Sequence, residues 1–260
     1  MTDIPVTEIP VADTLDPVTV IILSWNRPLY LWTCLDSLYR YTRHPARFIL
    51  VDNSSDDPGI PRVIAGFERR GMFAAVERHT TNSPLNLAYA IERHQHSLSD
   101  YLVYIESDVA VFDTEPCWLT RMRTVMDSDP KLGLLGSYID TRDFIDPAVA
   151  RRTEPDLAER IFNGLIKAPS PERRLSPVPP EATVIDPFNP PGRLVMMRKE
   201  FMHLAFVGTD SDNYRNVKAA GIAAGIATQV RHRHLSLLNF FDYPDYPTRP
   251  ALSCTAVGRG

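Results

Sequence analysis

The sequence predicts an α/β protein with an open, mostly parallel sheet and helices on both faces. Three observations carry this. VTVIILS, RFILV and YLVYI are continuous apolar, β-branched runs, the pattern of strands buried on both faces, which are usually parallel. Amphipathic stretches separate these runs, the alternation of βαβ units. Each run also ends directly in polar residues, where an open α/β sheet holds its ligands. With 260 residues, 44% of them apolar and 23% charged, the chain can bury a sizeable core. One large domain, or a domain with an appended lobe, is expected at this length.

Taken in order, residues 1–16 are polar, acidic and punctuated by proline, and are expected to form a loose arm. The first strand is expected at 18–24. After the turn WNRP, Leu31, Leu35 and Leu38 fall at helical spacing, with Pro28 in the first turn, where proline is tolerated. A second strand at 47–51 runs into Asp52, and PRVIAGFERR reads as a short amphipathic helix stopped by Gly71. A weaker strand at 73–76, a helix at 85–96 and a strong strand at 101–105 follow, the last running into Glu106, Ser107 and Asp108.

Beyond Trp118 the pattern is less regular. Helices are expected at 117–126 and 157–166, with an apolar patch at 132–135 between them. After a proline cluster come the strand RLVMM, a helix at 200–206, the helix DSDNYRNVKAAG ended by Gly221, a strand at 226–231 and an extended aromatic tail at 241–260.

Composition narrows the function classes. The net charge is −4, from 28 basic and 32 acidic residues without a long run of either sign, which disfavours a dedicated nucleic-acid binder. Cys34, Cys117 and Cys254 form no CxxC pair, so a reducing compartment is expected. No apolar run approaches the roughly 20 residues of a membrane helix. The first residues carry acids where a secretory leader would be basic, and a cytoplasmic, non-spanning protein is expected. Proline is in excess, 23 residues, and eight of them lie between Pro169 and Pro191. Proline fixes φ and removes a backbone donor, so this segment is expected to be a stiff, ordered or partly ordered strap and not another helix.

The residues able to carry chemistry stand at the strand ends. The first strand offers Ser24, Trp25, Asn26 and Arg27; the second Asp52, Asn53, Ser54, Ser55 and Asp56; the third Glu106 and Asp108. Alternate acids at a strand end suit one hard divalent ion, magnesium or manganese, with positions left for substrate phosphates. No GxGxxG follows the first strand and no GxxxxGK[ST] occurs, so neither a dinucleotide fingerprint nor a phosphate loop is supported.

These segments, in this order, resemble the family 2 glycosyltransferases and their relatives with the GT-A, Rossmann-like fold. VTVIILSWNRPLYLWTCLDSLYRYT is similar to the family's opening strand, turn and helix, and FILVDNSSDD to its second strand with the nucleotide-contacting aspartate. YLVYIESDV resembles the strand leading into its D-x-D metal motif, and TDSDNYRNVKAAG its acceptor-side segment; His234 stands where many relatives place a metal-binding histidine.

The resemblance implies a single domain over 17–240. Its parts are a nucleotide-sugar-binding half at 17–115, the proline-rich connection at 169–192 and an acceptor-side lobe at 193–240. Donor contacts are expected from Ser24, Trp25, Asn26, Arg27, Asp52, Asn53, Glu106 and Ser107. Asp108 and His234 are expected to hold a divalent cation, Mn or Mg, and Asp210 to act as general base. Arg193 and Arg198 are near enough in sequence to reach phosphate but match no motif position.

The implied reaction moves a sugar from a nucleotide-diphosphate sugar to an acceptor hydroxyl with inversion. The acceptor is a carbohydrate, a lipid-linked sugar or a small molecule; a nucleic-acid acceptor is disfavoured by charge, and the oligomeric state is open. Departures from the family pattern are Glu106 for the first D-x-D aspartate, Thr209 for the glutamate before Asp210, and Pro84 and Ala90 where a glycine and an asparagine are usual. Asn82 and Asn86 are candidate substitutes for that asparagine.

Simpler roles stand beside these. Asp52 suits a turn or helix cap, Asp210 and Asp212 suit the positive end of a helix dipole, and His232 and His234 suit a solvated edge strand. Trp25 and Trp32 suit packing. A nucleotidyltransferase and a non-catalytic sugar-nucleotide binder are the alternative functions.

Overall fold

The computed structural model describes residues 16–140, 147–153, 155, 182–185, 192–206 and 210–235. Residues 1–15 of the expected arm, the helix at 157–166, most of the proline cluster, Thr209 and the tail from 241 lie outside the described residues.

The first half follows the expected alternation. Strand β1 (Val18–Ser24) leads to α1 (Pro28–Tyr41), β2 (Ala46–Asp52) to α2 (Gly59–Glu68), and β3 (Phe73–Arg78) to α3 (Asn86–His94). Strand β4 (Tyr101–Glu106) follows, then the short β5 (Val109–Val111), helix α4 (Trp118–Ser128), β6 (Leu132–Ile139) and α5 (Pro147–Thr153). The second half adds β7 (Val184–Ile185), β8 (Leu194–Arg198), a 3-10 helix (Lys199–Leu204), α6 (Asp210–Ala219) and β9 (Ala223–His234).

The nine strands of the described residues join one sheet in the order β3-β2-β1-β4-β8-β6-β9-β5, with β7 on β9. Strands β1, β2, β3, β4, β6 and β9 run one way; β5, β7 and β8 run against them. The alternating pleat sends successive side chains to opposite faces, so β1 serves two cores at once. Val18, Val20 and Ile22 pack with Leu35 and Leu38 of α1, Ile64 and Phe67 of α2 and Trp118 and Met122 of α4. Ile21 packs on the other side with Leu87 of α3, Val217 of α6 and Phe206. Full burial of one such side chain is worth about 1.5–3 kcal/mol, so both layers are substantial.

Several elements differ from the sequence reading. The expected helix at 200–206 is a 3-10 helix, and Arg198 sits in β8 just before it. The apolar patch at 132–135 is the start of an eight-residue strand, and β9 begins three residues before the expected Ile226. Strand β9 lies between β6 and β5, and His232 is buried, so the pair of histidines does not stand on a solvated edge. Trp32 is 44% exposed on α1 and therefore is not a packing residue. Within the described part of the proline-rich connection, Val184 and Ile185 pair antiparallel with Ala227 and Ile226. Among the described residues, no helix is long and apolar enough to cross a membrane.

Candidate functional site

Register places the candidate residues along one rim of the sheet. Ser24 pairs with Asp52, and Leu23 pairs with Glu106, so the ends of β2, β1 and β4 lie side by side. Asp52 and Glu106 are two strand spacings apart, about 10 Å.

The turn after β1 is unusual. Asn26 and Arg27 both take positive φ, 54° and 56°, where residues with a Cβ are uncommon. The Asn26 side chain holds the turn to the loop after β2. Its Oδ1 accepts from the Asp56 and Asp57 amides at 2.9 and 3.0 Å, its Nδ2 donates to Asp56 Oδ1 at 2.9 Å, and its own amide donates to Ser55 Oγ at 2.7 Å. Arg27 is buried, with its guanidinium 5.6 Å from the Tyr30 ring centre. Ser24 Oγ is buried and makes no hydrogen bond, and Trp25 is half-buried.

Asp52 and Asn53 are buried at the end of β2. Asp52 Oδ1 accepts the Ser55 amide at 3.2 Å, which is turn-capping geometry. Asn53 binds the next loop: Nδ2 donates to Asn82 Oδ1 at 2.6 Å, and Oδ1 accepts from the Ser83 amide at 3.1 Å and from Asn86 Nδ2 at 2.5 Å. Its amide therefore keeps at most one hydrogen for a ligand. Both Asn82 and Asn86 are absorbed in this network, and Ala90 lies in the core between α3 and the sheet.

The acids after β4 are held by backbone on both sides. The Glu106 amide donates to the Arg193 carbonyl at 2.9 Å and the Ser107 amide to the Leu23 carbonyl at 3.0 Å, while the Asp108 carbonyl accepts the Leu235 amide at 2.6 Å. Since β8 runs antiparallel to β4, Arg193 stands across from Glu106. One guanidinium nitrogen, Nη1, donates to Glu106 Oε2 at 2.8 Å and to Asp108 Oδ2 at 2.7 Å. His234, the last residue of β9 and paired with Val109, brings Nε2 to 3.8 Å from Asp108 Oδ2. Tyr104 donates its hydroxyl to Glu106 Oε1 at 3.3 Å.

Asp210 is the first residue of α6, and its carboxylate packs on Gly192, where a Cβ would collide with it. The site thus gathers Glu106, Asp108, Arg193 and His234 in contact. Arg27 and Asp210 are close enough to act electrostatically on Asp108 or Arg193.

The charges are unevenly set. Burial raises Asp108, but the Arg193, His234 and Arg27 charges outweigh it and hold the carboxyl below its usual range. Glu106 is pushed up, by burial first and then by the repulsion of Asp108 and Asp210, with Arg193 opposing. Asp210 is raised by burial, with the Asp108 charge adding and Arg193 opposing. His232 Nδ1 pairs with Ser137 Oγ at 2.7 Å, and burial pushes its pKa down to about 3, so it stays neutral.

Among the described residues, no three of His, Cys, Asp and Glu are gathered as a ready metal cage; the two acids share Arg193 instead. The donor set still suits a divalent cation. Asp108 Oδ1 is buried without a hydrogen-bond partner, and carboxylate oxygen with imidazole nitrogen is a fitting combination for manganese.

Arg198 does not reach toward this site. It donates to the Met126, Asp129 and Leu132 carbonyls and to Tyr101 Oη, closing the end of α4. Asp212 pairs with Arg215 at 2.6 Å on the surface of α6. Sequence reasoning left Arg193 unassigned and missed Gly192, because only the antiparallel pairing of β8 with β4 puts that segment against the acids, and it read Tyr104 only as part of an apolar strand.

The chain matches the sequence profile described as Glycosyl transferase family 2 over residues 19–176, more than half its length. No sequence among the curated proteins matches it. Solved structures share the fold. The mannosyltransferase PcManGT from Pyrobaculum calidifontis, in complex with GDP-Man and Mn2+, is 18% identical with a TM-score of 0.57, over 94% of this chain and 64% of that one. GalNAc-T7 with UDP, GalNAc and Mn2+ is 14% identical with a TM-score of 0.57, over 84% of this chain and 43% of its own. S. aureus TarS 1-349 is 12% identical with a TM-score of 0.56, over 87% of this chain and 63% of its own. The chain therefore spans less than two thirds of each of these relatives.

Proposed function

Because the chain belongs to glycosyl transferase family 2, we propose that it transfers a sugar from a nucleotide-diphosphate sugar to an acceptor hydroxyl, with inversion. The observation that carries this is the convergence of Glu106, Asp108 and His234 beside Asp210 at the carboxyl ends of the strands. The GDP-Man and Mn2+ bound by one fold relative, and the UDP, GalNAc and Mn2+ bound by another, support it.

Asp108 and His234 are the residues that would hold a divalent cation, manganese or magnesium, which would neutralise charge on the diphosphate leaving group. Asp52 and the backbone of Ser24, Trp25 and Asn26 flank the nucleoside, with Asn53 fixing the loop beside it. Glu106 and Ser107 border the ribose, and Arg27 adds positive charge near the diphosphate. Asp210 accepts the proton of the acceptor hydroxyl as that oxygen attacks the anomeric carbon. The new glycosidic bond forms as the bond to the diphosphate breaks, and the electron pair leaves with the diphosphate. General-base help of this kind is worth roughly 10²–10⁴ in rate.

The acceptor is a carbohydrate, a lipid-linked sugar or a small molecule. A reducing, cytoplasmic setting accords with the free thiols of Cys34 and Cys117.

Calorimetry with UDP-, GDP- and dTDP-sugars, with and without Mn²⁺, followed by product analysis with an acceptor panel, tests the reading. Cation-dependent binding of one donor, with transfer by the native protein and none by Asp210→Asn, is the expected result. Full transfer by Asp210→Asn removes Asp210 as base. Donor binding with no transfer or hydrolysis by the native protein points to a non-catalytic sugar-nucleotide binder.

A further inference from the structure

Arg193 places one nitrogen between two carboxylates, 2.8 Å from Glu106 Oε2 and 2.7 Å from Asp108 Oδ2. That is the place a bridging cation takes. Its backbone is fixed, because its carbonyl accepts the Glu106 amide in the β4–β8 ladder. The side chain is the movable part: it is 31% exposed, against 6% for Asp108. Its Nη1 is shared by the two acids, where arginine prefers two parallel N–H bonds to one carboxylate. Asp108 Oδ1, buried, is left without a hydrogen bond.

We propose that Arg193 is the internal cation of the Glu106–Asp108 pair, displaced when a divalent ion binds and then turned onto the diphosphate, so that cation and nucleotide bind cooperatively. This rests on the reading of Asp108 as a cation-holding residue. A hard divalent ion needs carboxylate oxygens at about 2.0–2.6 Å, and the Oδ2 lone pair that Arg193 engages is then no longer available to it. The released guanidinium has five donors in a planar fork, which matches phosphate oxygens. Nucleotide therefore gives Arg193 a new partner when the ion takes its old one. By linkage, each ligand raises the affinity of the other by the same factor. Arg193 is on this account a positioning residue that sets the order and coupling of binding.

Mn²⁺ binding to the full chain, followed by electron paramagnetic resonance without substrate turnover, tests this for the native protein and Arg193→Met, each alone and with saturating UDP or GDP. Without nucleotide, Arg193→Met should bind Mn²⁺ roughly tenfold more tightly than the native protein, and the gain in Mn²⁺ affinity on adding nucleotide should shrink by a similar factor. Equal Mn²⁺ affinity in the two proteins without nucleotide, or an undiminished nucleotide gain, overturns the exchange while leaving Asp108 as a cation ligand. Absence of Mn²⁺ binding from both proteins, with nucleotide and without, overturns the cation reading of the acids as well. Circular dichroism reports whether Arg193→Met is folded. If it is not, Arg193→Gln, which removes the charge but keeps a polar side chain, takes its place, and Mn²⁺ affinity no higher than native would overturn the exchange.

Discussion

Arg193 and Arg198 bracket the same short strand, and their surroundings give them opposite roles. Arg193 faces two carboxylates across the ladder, whereas Arg198 faces the open carbonyls at the end of α4 and the Tyr101 hydroxyl. Arg198→Met should lower stability by about 2–4 kcal/mol, since it orphans several half-buried acceptors at once. Urea denaturation measures that loss, and nucleotide affinity of the folded variant should be unchanged. Asn53→Ala should cost about 1–3 kcal/mol by releasing Asn82, Ser83 and Asn86 from their anchor. Unlike Arg198→Met, it should also weaken nucleotide binding, read by calorimetry.

At Asp210 the sign of the pH effect follows from the raised pKa. A carboxylate accepts a proton only when ionised, so kcat/KM should fall as pH drops through that value. The acid limb should lie above the ordinary carboxylate value of about 4. A limb at or below 4 in the measured pH profile would assign the base elsewhere.

At the scale of elements, Gly225 sits where β9 passes under β7, and a Cβ there would collide with the Val184 side chain. Gly225→Ala should therefore unseat the Val184–Ile185 strand and cost about 1–3 kcal/mol in thermal or urea denaturation. Strands β1, β2 and β4 were readable in the sequence because both of their faces are buried and the apolar run is unbroken. Strand β5 was not: three residues after a tight turn leave no period to read, and its partner β9 is far along the chain. The start of β9, Ala-Ala-Gly, has poor intrinsic strand preference and is a strand because β6 holds it. The site divides the same way. Asp52 and Asp108 stand out as acids at strand ends, and Asp210 and His234 by the resemblance to the family, but the shared bond of Arg193 is a cross-strand fact that no local pattern contains.

At the scale of the whole molecule, one sheet separates two cores, one covered by α1, α2 and α4 and the other by α3 and α6. Amide exchange should be slowest in β1 and β4, which have a strand on either side and helices on both faces. It should be fastest in β3 and β5 at the ends of the order. Equal protection across the sheet would contradict this gradient.

The pairing of β5 with β9 also has a temporal meaning during synthesis. Asp108 leaves the ribosome 85 residues before Arg193, an interval of roughly 4–17 s at about 5–20 residues per second. For that time the nascent chain carries two neighbouring acids with no partner cation from its own later segments, and neither Asp210 nor His234 yet exists. A chain halted between Glu106 and Ala223 can build the four parallel strands of its first half but not the closing strand. Catalytic competence should therefore arise in a single late step of biogenesis, and partly made chains should be inert.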